Sequence, residues 1–128
     1  MTFARDIRRW ADRAKRGFHE VATEALINLS ATIIIKTPVD TGLAANNWQP
    51  TTMSPATGTV IIGDRASQLT DVQNSVAVSI GSVYYLVNNL PYIRRLEYES
   101  WSDKAPRGMV RVSIEEFEIF IDNAIANL

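Results

Sequence analysis

The stretch Ile33-Ile34-Ile35-Lys36-Thr37-Pro38-Val39-Asp40-Thr41-Gly42-Leu43 marks where one kind of structure stops and another begins. Upstream of it Phe3, Ile7, Trp10, Ala14, Phe18, Val21, Ala22, Ala25, Leu29 and Ile33 recur at steps of three and four, the spacing of one face of an α-helix. Pro38 disfavours helical geometry in the residue before it, so a helix of roughly 33 residues is expected to end at Thr37. Asp40-Thr41-Gly42 then reads as a turn, with the aspartate bonding backbone amides ahead of it and the glycine free to take positive φ.

That helix is long for its chain. Straight, it would measure roughly 50 Å at 1.5 Å per residue, whereas a compact domain of this size is roughly 35 Å across. Either the helix breaks near Gly17, since glycine costs about 1 kcal/mol relative to alanine in a helix, or residues 1–16 project as a basic helical arm. In the second case Phe3, Ile7 and Trp10 must be buried against another chain, because an apolar stripe left in water promotes aggregation.

Downstream, segments 46–53, 58–63, 75–80 and 83–87 have β character, with Gly81-Ser82 as a two-residue hairpin turn and with Pro50 and Pro55 confining the first strand to an edge. The polar stretch 64–74 is expected as a long loop. Asn89 is expected to cap a short helix over 91–98. From about residue 106 a last helix places Val110, Ile114, Phe117, Ile121, Ile125 and Leu128 on one face, with Glu115, Glu116, Glu118 and Asp122 largely on the other. The expected fold is therefore a single α+β domain over residues 1–128: a long N-terminal helix, an antiparallel sheet of about four strands, a short helix and a C-terminal helix.

With 46% hydrophobic residues the 128-residue chain has enough apolar material for one core. Thirteen Lys and Arg against fourteen Asp and Glu argue against a surface given over entirely to nucleic acid. The charge is segregated, however. Residues 1–16 carry Arg5, Arg8, Arg9, Arg13, Lys15 and Arg16 against Asp6 and Asp12, whereas residues 113–128 carry four acids and no base. Cysteine is absent, which excludes disulfides and thiolate metal sites. Trp10 is followed at once by Ala-Asp-Arg, so no secretory signal is read, and the apolar run Ile33-Ile34-Ile35 is far short of the roughly twenty residues that span a bilayer. A soluble protein without membrane contact is expected.

Candidates for chemistry are few. Asp40-Thr41-Gly42 is also the triplet of aspartic proteases, and Val60-Ile61-Ile62-Gly63 resembles their apolar-apolar-Gly segment. A helix and Pro38 precede the triplet, though, and the two segments lie too close to enclose the substrate cleft that two proton-sharing carboxylates require. His19 is the single histidine and has no nucleophile motif around it; neither metal-ligand spacing nor a phosphate-cradling loop is present. No enzyme, catalytic residue, cofactor, metal or small-molecule substrate is expected. Arg5, Arg9, Arg13 and Arg16 recur at helical spacing. They form either a phosphate-facing stripe or a solvated face partly neutralised by Asp6 and Asp12.

Three anchors follow one another in a recognisable order: Thr37-Pro38-Val39-Asp40-Thr41-Gly42-Leu43 with Trp48 downstream, Val83 onward through Asn88-Asn89-Leu90-Pro91-Tyr92 to Leu96-Glu97-Tyr98, and Lys104-Ala105-Pro106-Arg107-Gly108-Met109-Val110-Arg111. In this order they resemble the tail-completion proteins of long-tailed bacteriophages, also described as minor tail protein Z-like or head-tail joining proteins. Ala44 stands where that family commonly has a basic residue, and Glu99 where it often has glycine. The resemblance implies a virion structural protein that forms a ring completing the tail and joining it to the capsid neck, a hexamer by the symmetry of such tails. Its partners would be other neck and tail proteins and packaged DNA met through phosphates; its location would be the virion, and the host cytoplasm during assembly. Arg5, Arg8, Arg9, Arg13 and Arg16 would then face DNA or the lumen. Phe3, Ile7, Trp10, Asp40, Trp48, Tyr92, Glu97, Tyr98, Trp101 and Lys104 would contribute to oligomer interfaces. The rival reading is a nucleic-acid-binding regulator that uses the basic N-terminal helix.

Overall fold

The computed structural model describes residues 2–39, 43–60, 65–76 and 82–128. Helix α1 spans Phe3–Lys36 as 34 continuous residues, so Gly17 does not break it. Its start is fixed by Thr2, whose side-chain oxygen accepts the Arg5 N–H at 3.3 Å, satisfying one of the amides that a helix leaves without an internal partner. Its end is fixed by Thr37 as well as Pro38. The buried Thr37 hydroxyl donates to the Ile33 carbonyl at 2.7 Å and accepts the Trp48 indole N–H at 2.9 Å, which ties the next element to the helix terminus.

After α1 come α2 (Leu43–Asn46), β1 (Gln49–Thr51), α3 (Arg65–Ser75), β2 (Tyr85–Val87), α4 (Ile93–Tyr98), α5 (Val110–Glu115) and α6 (Phe117–Ala126). The fold is α+β. Its sheet is smaller than expected: among the described residues β1 and β2 pair antiparallel, Gln49 opposite Val87 and Thr51 opposite Tyr85, and the four-strand sheet is not supported. The physical reason is visible in residues 56–60. The Asn47 side chain accepts the Val60 N–H at 2.7 Å and donates to the Val60 carbonyl at 2.9 Å, while the Asn89 amide donates to the carbonyls of Ala56 and Gly58. Side-chain amides thus satisfy backbone groups that a ladder would otherwise pair. Residues 61–63, 77–80 and Gly81, which belong to the expected second and third strands and the hairpin turn, lie outside the described residues, as do Asp40, Thr41 and Gly42.

The expected loop 64–74 is largely helix α3, held to the core by Val72 and by Gln68, whose amide donates to the Trp48 carbonyl. Asn89 does not cap α4, which begins at Ile93 with no side-chain cap. The last helix is two: Gly108 takes φ +85°, so helix begins only at Val110, and the Ser113 hydroxyl bonds back to the Met109 carbonyl at 2.6 Å where α5 gives way to α6.

One core joins these pieces. Ile33 and Ile34 of α1, Ala44 and Ala45 of α2, Trp48, Val72 and Val76, Leu90, Leu96, Ala105 and Met109 are buried together. Tyr84 packs on this core and shares a 2.9 Å hydrogen bond with Ser30 of α1; burial pushes its phenol above the ordinary tyrosine range, and the Ser30 bond partly offsets that rise. By length and composition α1 could cross a membrane, yet its C-terminal half is the element against which α3, α5 and α6 pack.

Candidate assembly interface

Helix α6 runs back along α1. At one end Lys36 pairs with Glu116 at 2.5 Å; at the other the Asn127 amide donates to Glu24 at 3.0 Å, and Leu128 lies beside Gly17. The part of α1 before Gly17 has no such cover. Fourteen residues of helix, Phe3 to Arg16, extend about 20 Å past the packed body at 1.5 Å per residue. Along this arm Phe3 is 81% exposed and Trp10 67%, with Ile7 also exposed.

At about 100° per residue, Phe3, Ile7, Trp10 and Ala14 fall within about 60° of one another, while Arg5, Arg9 and Arg16 cluster on the opposite side of the helix and Arg13 lies between them, at the edge of the stripe nearest Trp10. Arg8 and Lys15 flank the apolar stripe. Among the described residues none of these bases has an ion-pair partner, and neither Asp6 nor Asp12 pairs with one. The apolar stripe continues along α1 into an open groove of about 500 Å³ between α1 and α6, lined on α1 by Phe18, Val21 and Ala25 and on α6 by Phe117, Ile121 and Ile125. Glu118 and Asp122 are exposed on α6 one residue beyond Phe117 and Ile121, and among the described residues neither has an ion-pair partner.

A second surface gathers other expected interface residues. Tyr92 and Trp101 pack at a tilt of 58° with ring centroids 5.8 Å apart, Arg95 lies over Trp101 at 5.6 Å, and Arg94 and Arg111 lie over Tyr98 at 5.9 and 4.9 Å. Tyr98 and Trp101 are exposed, which leaves these cation–aromatic pairs at the surface. Lys104 is exposed and its ammonium reaches the Val39 carbonyl at 3.4 Å. Sequence reasoning missed the arginines of this patch, although Arg94 and Arg95 sit inside the quoted second anchor and Arg111 closes the third.

Two expected interface residues face inward instead. Trp48 is 6% exposed and belongs to the core, its indole N–H held by Thr37. Glu97 is equally buried and serves the N-terminus of α5: its carboxylate accepts the Met109 N–H at 2.9 Å and the Val110 N–H at 2.6 Å, and Arg111 approaches it at 3.5 Å while also donating to the Glu97 carbonyl. A negative group at a helix start is favoured by the helix dipole. A Cβ at position 108 would lie 1.6 Å from that carboxylate and 2.5 Å from the Glu97 carbonyl, so glycine is needed there for space as well as for φ. Asp40 is outside the described residues.

The described residues contain no cluster of three His, Asp or Glu side chains able to hold a metal ion. What the geometry offers is contact surface: an apolar, basic-flanked arm, an apolar, acid-flanked groove and a cationic aromatic patch. Compared with protein-family models, with curated proteins and with solved structures, the chain gives no match.

Proposed function

We propose that the protein is a structural component of the head-tail junction of a long-tailed phage, forming a ring that completes the tail and joins it to the capsid neck. The observation that carries this reading is the arm of α1, whose Phe3, Ile7 and Trp10 stand in solvent beyond the body. An exposed stripe of this kind marks a protein–protein contact surface, and a subunit with unlike ends suits the head-to-tail contacts that close rings. The ordered anchors of the sequence supply the identity of the assembly. Imaging of virions labelled at the C-terminus tests it: label at the neck is expected, and label absent from the particle contradicts it.

The second reading, a DNA-binding regulator, draws on the bases of the arm, which have no ion pair among the described residues. Its signature is duplex binding that weakens steeply as salt rises, with a slope set by the number of phosphates neutralised. A chain that shows this slope as a monomer, and is missing from tails, favours the regulator.

A further inference from the structure

The groove between α1 and α6 has a specific occupant: we infer that it receives the α1 arm of a second copy of this chain. The inference rests on the self-assembly part of the function proposed above and adds the contact by which it occurs.

Charge complementarity selects the occupant. The groove is apolar along Phe18, Val21, Phe117, Ile121 and Ile125, and next to Phe117 and Ile121 in the sequence of α6 stand the exposed Glu118 and Asp122, two acids without an ion pair among the described residues. The arm is apolar along Phe3, Ile7 and Trp10 and is flanked by Arg8, Arg13 and Lys15, likewise without ion pairs. Each surface supplies what the other lacks. The neighbouring acids Glu115 and Glu116 are already held by Arg107 and Lys36, which leaves Glu118 and Asp122 as the acids of this end of the chain without an ion pair among the described residues.

The arm cannot serve its own groove. It is the same continuous helix that forms one wall of that groove, and folding it back would require breaking α1 near Gly17, where the helix is intact. An arm seated by its apolar stripe would keep Arg5, Arg9 and Arg16 pointing away from the contact. Those three bases then remain available for phosphate, so self-assembly and DNA contact use different sides of one helix.

The chain has no cysteine, so engineered thiols report without background. Two full-length chains are made, one Ile7→Cys and one Ile125→Cys, with tags of different mass; both positions are exposed, and unchanged thermal unfolding verifies that each chain folds. Mixed under mild oxidation, they are expected to give the mixed-chain disulfide at least tenfold faster than Arg9→Cys gives it with the same partner. Glu118→Lys with Asp122→Lys in the groove chain is expected to slow the reaction at least tenfold, and Arg8→Glu with Arg13→Glu in the arm chain to restore it. A double variant, Ile7→Cys with Ile125→Cys, is expected to form intermolecular products. Closure within one chain, coupling of Ile7→Cys only to itself, or no preference over Arg9→Cys overturns the inference. Species larger than two chains agree with the ring as well, whereas cross-linking that stops at two supports the contact and contradicts the ring. Rings seen by imaging without the disulfide leave the ring standing and remove the contact.

Discussion

Replacing Glu97 with alanine is expected to destabilise the protein by about 3 kcal/mol, although the residue is charged and lies in a segment that reads as surface. The carboxylate accepts two amides at the start of α5. Met109 is buried, so its N–H would have no water to turn to, and an orphaned buried donor costs about 1–3 kcal/mol. Val110 is half-buried and its amide would be partly rehydrated, at about 1 kcal/mol. The ion pair with Arg111 adds less than about 1 kcal/mol, because the guanidinium is half in water. Glu97→Gln keeps one accepting oxygen and turns an NH2 toward the other amide, so its loss should be smaller, about 2 kcal/mol. Urea unfolding followed by far-UV circular dichroism measures both. With a denaturant slope of about 2 kcal/mol per molar, the midpoint should fall by about 1.5 M for alanine and about 1 M for glutamine. An alanine variant within about 0.3 M of the parent, or a glutamine variant less stable than alanine, would refute the assignment of Glu97 as the cap of α5.

Gly17→Ala should raise the melting temperature by about 4 °C, because among the described residues the new methyl meets just the Leu128 side chain, at van der Waals distance of 4.0 Å, and helix propensity improves by about 1 kcal/mol; a lower melting temperature would mean that Gly17 is needed as a bend. Tyr84 has a folded pKa raised above its unfolded value, so the folded state holds the proton more tightly and stability should fall as pH rises through and beyond about 10. Tyr84→Phe should lose about 1 kcal/mol at neutral pH with the Ser30 bond and should flatten that alkaline decline, as read by urea midpoints at pH 8 to 11. The Thr23 hydroxyl is buried without a hydrogen-bond partner among the described residues, so Thr23→Val should stabilise by about 1 kcal/mol in the same assay; a loss of stability would point to a partner for that hydroxyl.

Different parts of this fold were legible in the sequence to different degrees. Helix α1 and its end were readable because many apolar residues share one period and because Pro38 stops it. Helix α3 was not, since its only apolar positions facing the core are Leu69 and Val72, with Val76 just beyond its end; that stripe at three and four was the available signal, and the polar residues around it masked it. The sheet was overestimated because β-branched residues reveal a preference for extended backbone but not what its amides bond to, and Asn47, a buried asparagine, took the place of a partner for Val60. Among the site residues, the arm positions could be read from the length of the helix against the size of the domain. Trp48 and Glu97 could not: size and charge suggest surface contact, and only the neighbours Thr37 and Gly108, distant in sequence, turn the one into core and the other into a cap.

The arm of α1 needs another copy to cover it if the chain forms a ring, and the mass of the purified chain in solution measures that directly. Light scattering at micromolar concentration should give a closed multiple of the 14.3 kDa chain, and the combined variant Phe3→Ser, Ile7→Ser and Trp10→Ser should give the single-chain mass with its fold unchanged. A parent chain that stays at 14.3 kDa over the whole concentration range, with the same stability as the arm variant, would contradict it.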